Sequence, residues 1–246
     1  MMNLKCSLLL WVIAVCIGLA HSSPLQETNA QRLARGLPPN PPKFLRDLLP
    51  TPALGARSPA PSPHPPVTLT GKLEVRSGGG TLGHVRNWAT GGTISGINFL
   101  GADQDLLVTL TYNPSHPTEF DIVATNAKFP APLNVGAGSS SVASVPTLAA
   151  GVKSSVGFTN VASTPPGSRP VIPPKTQAYV ESAIWSIDPT THQLKAQWIN
   201  NDGSKPPTVL AYDIRANSLF FVGDINAWNA NNDTPASAVN LFLVPA

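Results

Sequence analysis

The chain has 246 residues, a formal charge of +3 and 42% hydrophobic residues. From Val67 onward ten basic residues face eleven acidic ones, so that region is near neutral without a basic stripe, which argues against a nucleic-acid partner. The only cysteines are Cys6 and Cys16, so everything after them lacks disulfides, thiol chemistry and cysteine metal sites.

In chain order, the first predicted element is a signal peptide over residues 1–20. Lys5 precedes an apolar run at 8–20 that is shorter than the about 20 residues needed to cross a bilayer. Gly18 and Ala20 supply small residues before a cut after Ala20. The expectation is a secreted, extracellular protein with no membrane attachment once that segment is gone. Residues 21–66 follow as a Pro-rich linker or propeptide, largely disordered. Twelve of the 27 prolines lie there, and the run at 58–66 cannot build a helix or a ladder because proline lacks the N–H. Within it, 43–49 predicts two helical turns with Phe44, Leu45, Leu48 and Leu49 on one side.

From 67 to 246 the sequence predicts one all-β domain, an antiparallel sandwich or jelly-roll-like arrangement. Val67, Leu69, Gly71, Leu73 and Val75 alternate with polar partners, the period of a half-buried strand. A denser run at 106–112 suits a sheet interior. Phe120 and Ile122 alternate with Glu119 and Asp121. Runs at 180–187 and 194–199 flank 188–193 as a hairpin, and Asn-Asn-Asp-Gly at 200–203 is a strong turn. Strands at 208–214, 219–222 and 239–244 complete the set. The stretches 137–150 and 163–174 predict long surface loops.

Several runs recur in order in one group of proteins. They are Arg-Leu-Ala-Arg-Gly-Leu-Pro-Pro at 32–39, Ala-Arg-Ser-Pro-Ala-Pro-Ser-Pro at 56–63 and Gly-Lys-Leu-Glu-Val-Arg at 71–76. Leu82-Gly83, Ile-Trp-Ser-Ile-Asp at 184–188 and Gln-Trp-Ile-Asn-Asn-Asp-Gly at 197–203 follow. With these runs the chain resembles a family of uncharacterised secreted proteins from mushroom-forming fungi. The resemblance implies secretion by a fungus and a shared β domain, and no activity. Where that family commonly carries Tyr after Leu-Gly, this chain has His84.

Candidate chemistry is sparse. Gly78-Gly-Gly-Thr-Leu-Gly83 matches a dinucleotide fingerprint, with Asp103 following, but the residues after Gly83 do not read as the helix that a pyrophosphate needs. It reads as a turn between strands, and no cofactor is predicted. His84, His116 and His192 stand apart without metal-ligand spacing, the latter two as turn residues, so no metal is predicted from them. Gly-Thr-Ile-Ser-Gly at 92–96 misses a nucleophile elbow by one place. Glu119 and Asp121 share a strand face, the pair that glycoside hydrolysis would use.

The richest polar loop holds Asp224, Asn226, Asn229, Asn231 and Asp233. Its oxygens suit Ca²⁺, although the spacing is not that of an EF-hand and Trp228 stands where a ligand would be wanted. Trp228 among these amides has the composition of a sugar-binding platform. Trp185 and Trp198 share faces with core residues, and Trp88 fits either role. Asn232-Asp-Thr234 is a glycosylation sequon. The expectation is a secreted, non-catalytic β domain that binds carbohydrate or a surface polymer, a polysaccharide or glycan, through Trp228, Asp224, Asn226, Asn229 and Asn231. The alternatives are a structural or protein-interaction module of the extracellular matrix, and a glycoside hydrolase using Glu119 and Asp121.

Overall fold

The computed structural model describes residues 28–38, 64–88 and 94–246. The signal segment 1–20, the helical turns expected at 43–49 and most of the proline run at 58–66 lie outside the described residues. The chain parts into two units, Met1–Ala60 and Pro61–Ala246. In the first, where the sequence predicts linker, a short helix α1 (Asn29–Ala34) forms. Its start is a reciprocal cap: Gln31 N–H donates to Thr28 Oγ1 at 3.4 Å, and Thr28 N–H donates to Gln31 Oε1 at 2.9 Å.

The second unit is all-β, and every strand pairing in it is antiparallel. Its strands are β1 (Val67–Ser77), β2 (Gly80–Val85), β3 (Ile97–Asn98), β4 (Leu107–Tyr112), β5 (Thr118–Phe120), β6 (Ile122–Ala124), β7 (Asn134–Gly138), β8 (Ser155–Val161), β9 (Val180–Glu181), β10 (Trp185–Ile187), β11 (Gln193–Ala196), β12 (Val209–Asp213) and β13 (Ser218–Val222). A helix α2 (Ile225–Asn229) follows, then β14 (Ser237–Ala238) and β15 (Asn240–Val244). The sheet runs β14-β12-β13-β8-β7-β6-β4-β1-β15-β11-β10-β5. It curls over its own core in a sandwich-like fold. β14 on β12 and β15 on β1 and β11 are two pieces of one C-terminal stretch. Between them Val239 is buried and donates to the Leu210 carbonyl at 2.9 Å.

Alternation explains the core. Leu73 and Val75 of β1, Val108 and Leu110 of β4, and Val156 and Phe158 of β8 point inward. Trp185 meets Phe158 and Phe221 with ring centroids 6.1 and 6.0 Å apart. Its indole N–H donates to the Val135 carbonyl at 2.7 Å, so β10 packs across β7, β8 and β13. Trp198 is fully buried as well.

Four expectations need correction. The run 180–187 divides into β9 and β10, and the strand begun at 194 stops at Ala196. The Glu119–Ile122 run is interrupted at Asp121, and Glu119 takes a left-handed φ of 59°, so the two carboxylates do not share one strand. The stretch 137–150 is not wholly surface loop: Ala137 belongs to β7, and both Ala137 and Leu148 are buried. β7 and β8 do not read as strands from the sequence: two of the five residues of β7 are glycine, and in β8 glycine and serine weaken the alternation. At Gly136 a Cβ would stand 2.3 Å from the Glu181 carbonyl of neighbouring β9, so no other residue fits.

The long β7–β8 connection is anchored through Leu148. Its N–H donates to Asn200 Oδ1 at 3.0 Å, and its carbonyl accepts from Asn200 Nδ2 at 2.9 Å. Truncating Asn200 strands two buried backbone groups. We predict that Asn200→Ala lowers unfolding free energy by about 2–4 kcal/mol in urea titrations, because each orphaned buried polar group costs about 1–3 kcal/mol.

Candidate functional site

The outer face of β12, β13, β8 and β7 is divided in two. Cross-strand register sets Ala211, Phe220, Gly157 and Gly138 in one rank. On one half, α2 covers Ala211, Phe220, Val222 and Ala236 with Ile225 and Trp228. The other half is a groove of about 510 Å³. Its floor is Gly138 and Gly157; Ser155, Thr159 and Ser218 flank the floor, and Trp228 borders it. The Trp228 ring is backed by Phe220, with centroids 4.8 Å apart and planes tilted by 48°.

The polar residues of the Trp228 loop serve the helix rather than the groove. Asp224 caps α2: Oδ1 accepts from the N–H of Asn226 and Ala227, at 2.9 and 3.1 Å. Oδ2 accepts from Gly151 N–H at 3.0 Å. The Gly151 donor, then the Ala227 one, holds this carboxyl below the usual carboxylate range. Asn229 exchanges two hydrogen bonds with the Ala236 backbone, at 3.0 and 2.8 Å. Asn231 Nδ2 donates to the Ala227 carbonyl at 2.8 Å, and Asn232 Nδ2 to that of Trp228 at 2.7 Å. Asn226 and Asp233 are exposed. The loop expected to present amides to a ligand therefore forms a helix, and most of its amides hold that helix in place. Among the described residues no group of three or more Asp, Glu, His or Cys side chains is set to hold a metal.

The hydrolase carboxylates have separate partners. Glu119 pairs with Lys205 at 2.9 Å. Asp121 Oδ2 accepts from Ser163 at 3.0 Å, and its buried Oδ1 has no partner among the described residues. Glu119 lines a crevice of about 20 Å³ together with Ser168, Lys205 and Glu181, a residue the sequence reading passes over. That volume admits about one water and no sugar.

Glu181 is only 1% exposed and accepts from Ile199 N–H through both oxygens. Burial raises its pKa to about 8, against a smaller lowering by the Ile199 N–H. His84, from the glycine-rich hairpin, lies 3.2 Å from Asp105 and 3.8 Å from Glu74. Lys72 and Asn98 also reach Asp105, at 3.1 and 2.7 Å. The donors satisfy a carboxylate that is 4% exposed and tie β1, β2 and β3 together. Trp88 is 37% exposed, with the Arg86 guanidinium 3.9 Å above its ring. His116 and His192 sit in turns, as expected.

Comparison with known proteins finds no matching family model, no matching curated protein and no matching solved structure.

Glu181 yields a pH prediction. Between the ordinary carboxyl value of 4.5 and about 8, the folded chain keeps a proton that the unfolded chain has lost. Stability therefore falls as pH rises through that window, by up to about 1.4 kcal/mol per pH unit from this group. Urea midpoints taken from pH 5 to 8 are expected to decline. Glu181→Gln should remove this component of the decline and be more stable than the parent at pH 8. Parallel pH profiles for the two proteins would refute the assignment.

Proposed function

We propose that this chain is a secreted, non-catalytic β domain that binds carbohydrate along the groove beside Trp228. The observation that carries the reading is an aromatic ring fixed at the edge of a small-residue trough. The axial C–H faces of a pyranose are apolar and pack on an aromatic face, while its equatorial hydroxyls need short hydrogen-bonding partners. Phe220 behind Trp228 holds the platform, and the flanking Ser and Thr hydroxyls are the polar partners. The groove's volume lies within the 300–1,000 Å³ typical of ligand sites. The signal-type residues 1–20 and the resemblance to secreted fungal proteins support an extracellular setting.

A second reading, as a matrix interaction module, draws on another feature. Phe99 and Leu100 are 65% and 82% exposed at the tip of a loop. Asn98 steadies that loop by accepting from Leu100 N–H at 2.9 Å.

The test is depletion of the full-length protein from solution by insoluble cellulose, chitin and β-1,3-glucan. Depletion by at least one of them is expected, and Trp228→Ala should reduce it about tenfold while Trp228→Phe retains most of it. Failure of all three polymers to deplete the parent protein would overturn the carbohydrate reading.

A further inference from the structure

The chemistry of the groove also limits which carbohydrate it accepts, an argument that rests on the reading above. No Lys, Arg or His lines it among the described residues. The one charged lining residue is Asp213. Its Oδ1 accepts from the N–H groups of Arg215 and Ala216, at 2.8 and 3.3 Å, and its Oδ2 from Thr234 at 3.1 Å. It is fixed in place by its own turn and by Thr234. A uronate or sulfate entering here would meet a carboxylate and no cation, and desolvating an unpaired anion is costly. Acidic glycans are therefore disfavoured.

The floor sets the shape. Across the strands, the rank from Phe220 through Gly157 to Gly138 spans two interstrand spacings, about 10 Å at roughly 4.8 Å each. Gly157 and Gly138 face each other across β7 and β8, so a side-chain-free strip crosses the trough beside Phe220. A strip of this kind accepts a flat, extended chain laid against backbone. A chain that coils, such as an α-1,4-glucan, would lift away from it after one ring. The length exceeds a single pyranose and suits consecutive rings. We infer that the groove binds a neutral, unbranched, extended β-linked oligosaccharide, with one ring against Trp228 and the next ones over Gly157.

Gly157 also provides a clean probe. A Cβ built there meets only the Gly138 carbonyl, at 3.5 Å, an ordinary contact. The backbone therefore has room for a Cβ at this position, and Gly157→Leu puts a side chain into the groove from mid-strand, where a side chain does not weaken the strand.

The experiment is calorimetric titration of the full chain with cellohexaose, maltohexaose and hexagalacturonate. Thermal melts of each variant are run alongside. Cellohexaose should bind, and the other two should bind at least about tenfold more weakly. Gly157→Leu should weaken cellohexaose about tenfold with an unchanged melting midpoint, and Trp228→Ala should weaken it similarly. If maltohexaose or hexagalacturonate binds as tightly as cellohexaose, the inferred ligand class is wrong while carbohydrate binding stands. If cellohexaose binds and Gly157→Leu leaves its affinity unchanged, the groove is not the site. If none of the three binds, this inference falls. The carbohydrate reading falls with it only if the insoluble polymers also fail to deplete the protein.

Discussion

Trp185 reaches from β10 across the core to Phe158 of β8 and Phe221 of β13, and its indole N–H closes on the Val135 carbonyl of β7. This contact ties the late part of the curled sheet to its middle. The domain has no cysteine to do that work. A buried aromatic cluster supplies both area and direction, because the rings prefer tilted and edge-on contacts and the indole N–H must find an acceptor. The C-terminal stretch completes the arrangement, since β14 and β15 pair with strands far apart in the sheet order. With the inner faces of β8 and β13 committed to this cluster, their outer faces are left to be covered or to stay open.

That choice is made residue by residue. Where the outer face carries Ala211, Phe220 and Val222, it needs cover, and the five-residue helix α2 supplies it. Where it carries Ser155, Gly157, Thr159 and Ser218 there is little apolar area to hide, and it remains open. The boundary between the two halves falls at Phe220, and Trp228 stands over it. A half-buried aromatic at the groove edge is thus a consequence of where the apolar rank ends.

The sequence was legible wherever apolar and polar residues alternate with side chains of ordinary size. β1, the β10–β11 hairpin and the Asn200–Gly203 turn follow from period two and turn chemistry, and β4 from its dense apolar run. β8 carries the same signal, Val156 and Phe158 against Ser155, Gly157 and Thr159, but glycine and serine weaken it. β7 is less legible still, because its glycine answers to a neighbour: the approach of β9 at Gly136 is a tertiary fact. The candidate site shows the same division. Trp228 stands out by composition, whereas the groove beside it depends on register among β7, β8 and β13. The Asn and Asp residues around Trp228 were misleading for a physical reason. The same short polar side chains that suit a ligand also suit a helix cap, and in this loop most of them bond to backbone.

Those bonds bear on how the groove holds its shape. Asp224 joins the start of α2 to Gly151 of the long β7–β8 connection, and at Gly223 a Cβ would meet the Ala149 backbone at 2.4 Å. The same connection is pinned into the core at Leu148 by Asn200, and it contributes Ser139 and Ser140 to the groove. The helix bearing Trp228 is therefore bonded to the far end of the connection whose first residues are these serines, and that end is pinned to the interior. A ligand entering such a groove meets walls already in position, so little binding free energy is spent on ordering side chains. Anchoring of this kind would favour the stiff, extended ligand proposed above. A flexible chain would still lose its own conformational freedom on the same track, and a preformed surface does nothing to offset that loss.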